Sequence, residues 1–172
     1  MTQMIPARVN GDLRPVEKLE VHQKGLRHPA ISEFVLDQAQ TLLQRRALEK
    51  YHTPGLWANA CCTHPHWGEA FHVCAARRLE EELGVQGMTL VARDTVEYRA
   101  DVGNGLIEHE VVNLFLAEGR PTLALNPSEV METRWIDMSA LRDEISEAPE
   151  RFTPWLRIYL EKHSSQIFRE IA

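Results

Sequence analysis

The first part of the chain alternates between short apolar runs and turn residues. Asn10-Gly11 lies between the apolar flanks of residues 4–16, which is a strong signal of a β-hairpin. Residues 17–25 then read as a short helix that Gly25 ends. Two apolar runs follow, joined by a polar turn, and they predict strands over residues 30–36 and 41–45.

The middle of the chain carries a helical pattern. It predicts a helix over residues 69–83, with Gly84 as its C-terminal stop. A loop over residues 46–56 precedes this region and turns at Pro54-Gly55. The residues expected on the packed side of the helix are His72, Ala76, Leu79 and Leu83.

The second half predicts three more strands and two helices. The strands cover residues 88–98, 106–117 and 133–137. Ser139 is expected to cap a short helix, and Thr153 a last helix that starts at Pro154 and runs through residue 171. Strands and helices alternate irregularly, which predicts one α+β domain over residues 1–172, a mixed sheet with helices on its faces.

Composition narrows the classes of function. The 172 residues carry a net charge of −6 without a run of Lys or Arg, which argues against nucleic acid as a main partner. No apolar run reaches membrane-spanning length, and the first residues lack the apolar core of a signal peptide. The three cysteines are an odd number, and two of them are adjacent, so reduced thiols in the cytoplasm are expected.

Cys62 and His64 lie in a Cys-Cys-Thr-His-Pro-His loop. A thiol ionises easily only beside positive charge or a metal, and a nearby imidazole or a bound cation could supply either. The alternative is that Cys62 is a small buried apolar residue, the usual state of a free cysteine. A zinc site is disfavoured, since C-C-x-H-x-H lacks the usual zinc spacing.

Glu108 and Glu110 stand two residues apart on a predicted strand, so their side chains share one face. Neighbouring carboxylates repel unless a metal ion or a proton lies between them. The alternative is a solvent-facing strand edge. These glutamates precede a buried apolar run, so the metal site and the strand edge both stay open at this point.

Charged residues near the predicted helix suit an anion with a cation. Arg78 and Glu82 stand four apart on one stripe, where Glu82 could hold Mg²⁺ and Arg78 an anion. The alternative is ordinary surface ion pairing. Lys18, Arg46 and Lys50 add basic groups that would suit a diphosphate. His22 and His28 gain meaning only if they lie near His64 and the glutamates.

These positions resemble the type I isopentenyl-diphosphate isomerases, a branch of the Nudix fold. The Nudix signature asks for Gly, five residues, Glu, seven residues, then Arg-Glu-apolar-x-Glu-Glu-x-Gly-apolar. This chain has Thr63, Glu69 and then RRLEEELGV over residues 77–85, so Thr63 replaces the first Gly and Arg78 the first Glu of the box. Nudix hydrolases generally use that Glu for catalytic metal, whereas the isomerases carry Arg there for the substrate's diphosphate.

Further motifs of the isomerase pattern occur in the same order, so the resemblance covers nearly the whole chain. They are Arg45-Arg46-Ala47, residues 54–59 (PGLWAN), residues 62–65 (CTHP), Tyr98-Arg99, Glu108-His109-Glu110 and Pro154-Trp155. The resemblance implies a Nudix fold, a mixed β-sheet sandwiched between helices. It also implies an isomerase of isoprenoid biosynthesis that interconverts isopentenyl and dimethylallyl diphosphate by proton transfer through a tertiary carbocation.

The resemblance also implies roles for single residues. Cys62 and Glu110 would transfer the protons, with Tyr98 hydrogen-bonded on the Glu110 side and Trp155 over the reacting carbons. Mg²⁺ would bind Glu82 and the substrate diphosphate. A second divalent metal, Mn²⁺ or Mg²⁺ with Zn²⁺ as a further candidate, would bind His22, His28, His64, Glu108 and Glu110. The diphosphate would contact Lys18, Arg46, Lys50 and Arg78.

Residues 1–28 would form a substrate-capping segment, since a carbocation must be kept from water. The expected enzyme is cytoplasmic, takes a small prenyl diphosphate, and is a monomer or a weak homodimer. Two other functions stay open at this point: a Nudix-type diphosphate hydrolase, and a non-catalytic module that binds a metal or a thiol ligand.

Overall fold

The N-terminal hairpin and helix form as predicted. The computed structural model describes residues 3–168. Strands β1 (Met4–Val9) and β2 (Asp12–Glu17) pair antiparallel around Asn10 and Gly11, which both adopt positive φ. Helix α1 (Lys18–Lys24) follows at once and ends at Gly25, whose φ of 59° is the left-handed conformation that glycine adopts without strain.

A mixed sheet forms the centre of the fold. The strands of this sheet are β3 (Arg27–Asp37), β4 (Gln40–Arg46), β5 (Trp57–Ala58), β6 (Cys61–Thr63), β7 (Val91–Asp101), β8 (Ile107–Glu118) and β9 (Val130–Asp137). The order is β5-β4-β3-β8-β7, while β6 also pairs with β3 and β9 with β4. Strands β3 and β8 run parallel, and the other pairs are antiparallel.

Apolar side chains cover both faces of the sheet because successive residues of a strand point to opposite sides. On one face Phe34 and Val112 pack with Trp155 and Tyr159 of helix α4 (Pro154–Lys162). On the other face, Val35 and Ala117 pack with helix α2 (Phe71–Leu83). The α+β class and the mixed sheet between helices are confirmed.

The predicted packed face of α2 is partly wrong. Leu79 and Leu83 are buried as expected, but His72 and Ala76 are exposed. Cys74 and Ala75 are buried in their place, against Ile31 and Phe115 of the sheet. The spacing from Leu79 and Leu83 fits either stripe, and only the packing against the sheet decides between them. The helix also begins two residues later than predicted, after Ala70 as N-cap.

The later helices differ at their ends. Helix α3 (Met138–Glu147) has Asp137 at its N-cap position without a side-chain capping bond, and Ser139 lies inside the helix. Thr153 is the N-cap residue of α4, but its side chain makes no capping bond. The single last helix that we predicted is wrong: α4 ends before His163, and a separate short α5 (Ser164–Ile167) follows. The predicted residues 169–171 lie outside the described residues.

The break has a local cause, since the Ser164 hydroxyl donates to the Leu160 carbonyl at 2.6 Å and competes with the helical backbone pattern. Smaller shifts occur in two strands, because β7 starts at Val91 and β9 at Val130. In the part of the chain that is described, no helix combines the length and the apolar character that crossing a bilayer requires.

Gly84 makes the closest approach between a helix end and its neighbour. It has φ 69°, and a Cβ atom there would lie 2.7 Å from both Cβ and the carbonyl oxygen of Ala124. Gly84→Ala should therefore lower the free energy of unfolding by about 2–4 kcal/mol, from left-handed strain plus a backbone clash. Urea unfolding measures it. Gly87→Ala is the control, since Gly87 has φ 73° and open space, and it should lose only about 1 kcal/mol.

Candidate active site

One narrow pocket brings the predicted site residues together. Every one of them lines it except His22, His28 and Glu82, which lie buried beside it. A wider cavity of about 750 Å³ lies elsewhere, between β7, α3 and α4, and contains none of the predicted residues. We assign the chemistry to the narrow pocket because its walls carry the titratable groups. It is lined by Lys18, Arg46, Lys50, Tyr51, His52, Cys62, Thr63, His64, Arg78, Tyr98, Glu108, Glu110 and Trp155.

Two histidines are oriented by their own backbone. His22 Nδ1 lies 2.7 Å from the Lys18 carbonyl, and His28 Nδ1 lies 2.6 Å from the Leu26 carbonyl. A carbonyl accepts only, so each Nδ1 carries a proton, and Nε2 is the nitrogen that a neutral ring would offer to a metal. Both Nε2 atoms are buried without a hydrogen-bond partner among the described residues. Such orphaned acceptors suit a bound cation.

The donor atoms of His22, His28, His64 and Glu110 lie within 4.8 Å of one another, and we call these residues the four-donor cluster. Burial lowers the pKa of His22 to about 4 and that of His64 well below its ordinary value, so both imidazoles are neutral and able to bind metal. His64 Nε2 lies 2.9 Å from Glu110 Oε1. Nitrogen and carboxylate donors in this number fit a divalent transition metal.

Glu108 and Glu110 share one buried face of β8, as predicted from their spacing. The Tyr98 hydroxyl lies 2.7 Å from Glu108 Oε2 and 2.8 Å from Glu110 Oε2. One phenol proton serves both contacts only while one carboxyl group is itself protonated. Burial, together with the charge of Glu110, raises the pKa of Glu108. Burial would also raise the pKa of Glu110, but the neighbouring imidazoles hold that pKa well below its ordinary range.

His52 lines the pocket, although no sequence pattern selects it. With His22 and Glu108 it forms a second group of donors within 4.8 Å of one another. By distance, Glu108 is grouped with His52 and His22, while the other four predicted ligands form the four-donor cluster. His52 lies in an irregular loop, where hydrophobic periodicity carries no signal. Only its position between Lys50 and Pro54, just before the Pro-Gly turn, could have indicated it from the sequence.

Cys62 is held as a neutral thiol. Its sulfur lies 3.0 Å from Ser32 Oγ and donates to Asn59 Oδ1 at 3.1 Å. Burial raises the pKa of the thiol well above its ordinary value. Cys61 points to the opposite face of the sheet, where it packs with α2, because neighbours on β6 alternate. Cys62 thus offers a proton on the pocket side.

An indole and a guanidinium form another wall of the pocket. Trp155 is 1 % exposed, and its Nε1 atom has no hydrogen-bond partner among the described residues. The Arg46 guanidinium lies 5.3 Å from the indole ring centre, within the range of a cation–π contact. The ring therefore already faces positive charge in this pocket.

The predicted diphosphate end is strongly charged. Arg78 pairs with Glu81, Glu82 and Glu129, and Lys50 also pairs with Glu129. Burial and the nearby Lys50 and Arg78 lower the pKa of Lys18 to about 8. These cations crowd one end of the pocket, where an anionic ligand would relieve their mutual repulsion.

Thr63, which replaces the signature Gly, lies in regular β pairing with Ile31 and is not among the residues with positive φ, so the change needs no strained backbone.

The Glu82 carboxylate accepts from Gln44 Nε2 at 3.0 Å and from Arg78. It is 4 % exposed, so its remaining lone pairs are directed within the protein.

Glu33 is fully buried on β3, and neither of its oxygens has a hydrogen-bond partner of good geometry among the described residues. Burial raises its pKa well above 4.5, against the opposing effect of the Cys61 thiol. A carboxyl group whose pKa is raised in the folded state contributes its full stabilisation below pH 4.5. It loses that contribution as the pH rises toward the folded-state pKa.

Glu33→Gln should remove this loss. Its advantage in unfolding free energy over the parent should grow by about 1 kcal/mol per pH unit from pH 5 upward, until the folded-state pKa is passed. Urea unfolding in the presence of a chelator, from pH 5 to 8, measures it. Glu118→Gln, an exposed change on β8, should show no such trend. A pH-independent difference for Glu33→Gln would contradict the buried neutral carboxyl group.

Comparison with known proteins agrees with the residue pattern. The NUDIX domain family profile matches residues 26–156. Proteins named isopentenyl-diphosphate Delta-isomerase are similar over nearly the whole length: one from Cereibacter sphaeroides (strain KD131) is 62% identical, covering 99% of this chain and 98% of the relative. Another, from Dinoroseobacter shibae, is 59% identical, covering 100% of this chain and 99% of the relative.

Solved structures share the fold at low identity. A protein of Deinococcus radiodurans has a TM-score of 0.74 at 14% identity, covering 93% of this chain and 98% of its own. A MutT NUDIX hydrolase from Burkholderia pseudomallei has a TM-score of 0.59 at 23% identity, covering 80% of this chain and 98% of its own. These likenesses show the fold alone. With the profile match and the near full-length relatives, the chain belongs to the isopentenyl-diphosphate Delta-isomerase family of NUDIX-domain proteins.

Proposed function

We propose that this protein interconverts isopentenyl diphosphate and dimethylallyl diphosphate. The observation that carries the proposal is the pairing of a neutral thiol, Cys62, with an ionised carboxylate, Glu110, in one buried pocket. On β3, Cys62 is paired with Ser32, and Glu110 is paired with His28. Their backbones are therefore roughly 13 Å apart along that strand, and both side chains reach the pocket. An alkene held between them would meet an acid and a base.

The reaction moves a double bond by one carbon. One proton is added to the terminal carbon of the alkene, which leaves a tertiary carbocation, and one proton then leaves the neighbouring CH₂ group. Cys62 and Glu110 exchange these two protons with the substrate, one as donor and the other as acceptor. Trp155 offers its ring to the cation, an interaction worth about 2 kcal/mol when it is desolvated. Tyr98 orients both carboxyl groups through its hydroxyl.

The substrate's diphosphate occupies the basic end of the pocket. Lys18, Arg46, Lys50 and Arg78 would bind its oxygens, and Glu82 would hold the Mg²⁺ that accompanies it. A second divalent metal, Mn²⁺ or Mg²⁺ with Zn²⁺ as a further candidate, belongs at His22, His28, His64, Glu108 and Glu110. When bound, it neutralises the carboxylate pair and lowers the proton affinity of Glu110.

Residues 3–28, the described part of the predicted N-terminal segment 1–28, would cover the reacting end. It contributes Lys18, His22 and His28 to the site, and its hairpin packs through Ile5 and Ala7 against Val21. Exclusion of water is needed because water would capture the carbocation. We place the protein in the cytoplasm, as a monomer or weak homodimer that acts in isoprenoid biosynthesis.

Arg78 lines the pocket and is proposed to bind the substrate's diphosphate. Arg78→Ala should raise the KM for isopentenyl diphosphate by about 10- to 100-fold, since a charged contact to the diphosphate is lost. Steady-state kinetics measures it. Arg77→Ala is the matched control: Arg77 is the preceding residue of α2, pairs with Glu69 and Glu81, and does not line the pocket. Equal kinetics for both variants would contradict diphosphate binding by Arg78.

Product analysis by ³¹P NMR tests the proposed function. With isopentenyl diphosphate and Mg²⁺, the substrate signals should give way to those of dimethylallyl diphosphate, without inorganic phosphate. Nucleoside diphosphate derivatives should stay intact. Release of phosphate or a mononucleotide, with no isomerisation, would support the hydrolase instead.

A further inference from the structure

His52 is held in place by a strained loop between β4 and β5. Arg46 donates to its backbone carbonyl at 3.1 Å, and Thr53 Oγ1 lies 3.1 Å from its ring Nδ1. Thr53 has φ 46°, a left-handed conformation that is a genuine outlier for a β-branched residue. Strain of this kind persists only where the surrounding structure fixes it, and it concentrates at functional sites. The loop thus fixes a single buried imidazole.

That imidazole is directed at the metal-binding region. His52 Nε2 lies 3.7 Å from Glu108 Oε1, which is too long for a hydrogen bond. Its donor atom nevertheless lies within 4.8 Å of those of His22 and Glu108, and His22 is also a member of the four-donor cluster. Two ligands of one cation, with bonds of about 2.1 Å, lie between about 3 and 4.2 Å apart. The separation from Glu108 falls in that range.

We propose that His52 is a further ligand of the divalent-metal centre, bound through Nε2. It would hold the cation together with His22 and Glu108, whose donor atoms lie within 4.8 Å of its own. This inference rests on the proposed metal centre of the isomerase. Imidazole ligands favour Mn²⁺ or Zn²⁺ over Mg²⁺, which prefers oxygen.

The test compares two metals on chelator-treated protein by titration calorimetry, without substrate. His52→Ala should raise the Kd for Mn²⁺ by about 10- to 100-fold and change the Kd for Mg²⁺ by less than about 3-fold. If His52 only held Glu108, both affinities would fall by the same factor, because a carboxylate serves both metals. That equal fall would overturn the proposal. His163→Ala, whose ring pairs with Gln166 outside this region, should change neither value.

A second variant keeps the test decisive if His52→Ala fails to fold. His52→Phe keeps a buried ring but has no metal donor atom, so the loss of Mn²⁺ affinity should persist in this variant. Circular dichroism confirms folding. Folded His52→Phe with the Mn²⁺ affinity of the parent overturns the ligand assignment alone. A parent protein that binds no Mn²⁺ overturns the proposed metal centre together with it.

Discussion

Replacing Cys62 by alanine should lower kcat for the isomerisation of isopentenyl diphosphate by about 10³-fold or more. A positioned acid or base contributes about 10²- to 10⁴-fold, and no other thiol lines the pocket among the described residues. The KM should change little, because the thiol acts on carbon and not on the diphosphate. Conversion of labelled substrate, followed under steady-state conditions, gives both constants.

The control is the neighbouring residue. Cys61 is also buried and reduced, but it packs on the α2 side of the sheet, so Cys61→Ala should keep kcat within a few-fold of the parent. Both variants remove one sulfur from the same strand, which cancels general effects on packing. Full turnover by Cys62→Ala would remove the thiol from the mechanism.

Glu110→Gln should have an effect of similar size, with kcat lower by about 10³-fold. The carboxamide cannot accept the substrate proton, and its NH₂ group would disturb the contacts that His64 and Tyr98 make with the carboxylate. The variant should also retain less than one equivalent of Mn²⁺ after gel filtration, since a ligand is lost. Kinetics and elemental analysis of the same sample test both expectations.

Glu118→Gln serves as the control on the same strand, because Glu118 is exposed at the far end of β8. It should leave turnover and metal content unchanged. If Glu110→Gln kept kcat within tenfold of the parent, Glu110 would not be a proton-transfer residue, whatever the metal content.

Local patterns predict the elements of the site better than its spatial grouping. Asn10-Gly11 predicts the hairpin because few other dipeptides adopt two positive φ values without strain. Spacing of two predicts that Glu108 and Glu110 share a face of β8, and both are buried there. The resemblance then supplies residues from distant parts of the chain, such as His22 and Trp155, which no local pattern joins.

The errors arise where tertiary contacts decide. The packed stripe of α2 is ambiguous from spacing, and contacts with the sheet select Cys74 and Ala75 over His72 and Ala76. The grouping of His52 with Glu108 depends on the conformation of an irregular loop with a strained Thr53, and periodicity carries no information about such loops.

The most direct measurement is the isomerisation of isopentenyl diphosphate in D₂O with Mg²⁺, analysed by NMR and mass spectrometry. Proton transfer through protein groups that exchange with solvent predicts deuterium in dimethylallyl diphosphate, on the methyl group formed from the terminal alkene carbon. Cys62→Ala and Glu110→Gln should give almost no labelled product in the same time. Unlabelled dimethylallyl diphosphate, or no product at all from the parent protein, would contradict the account.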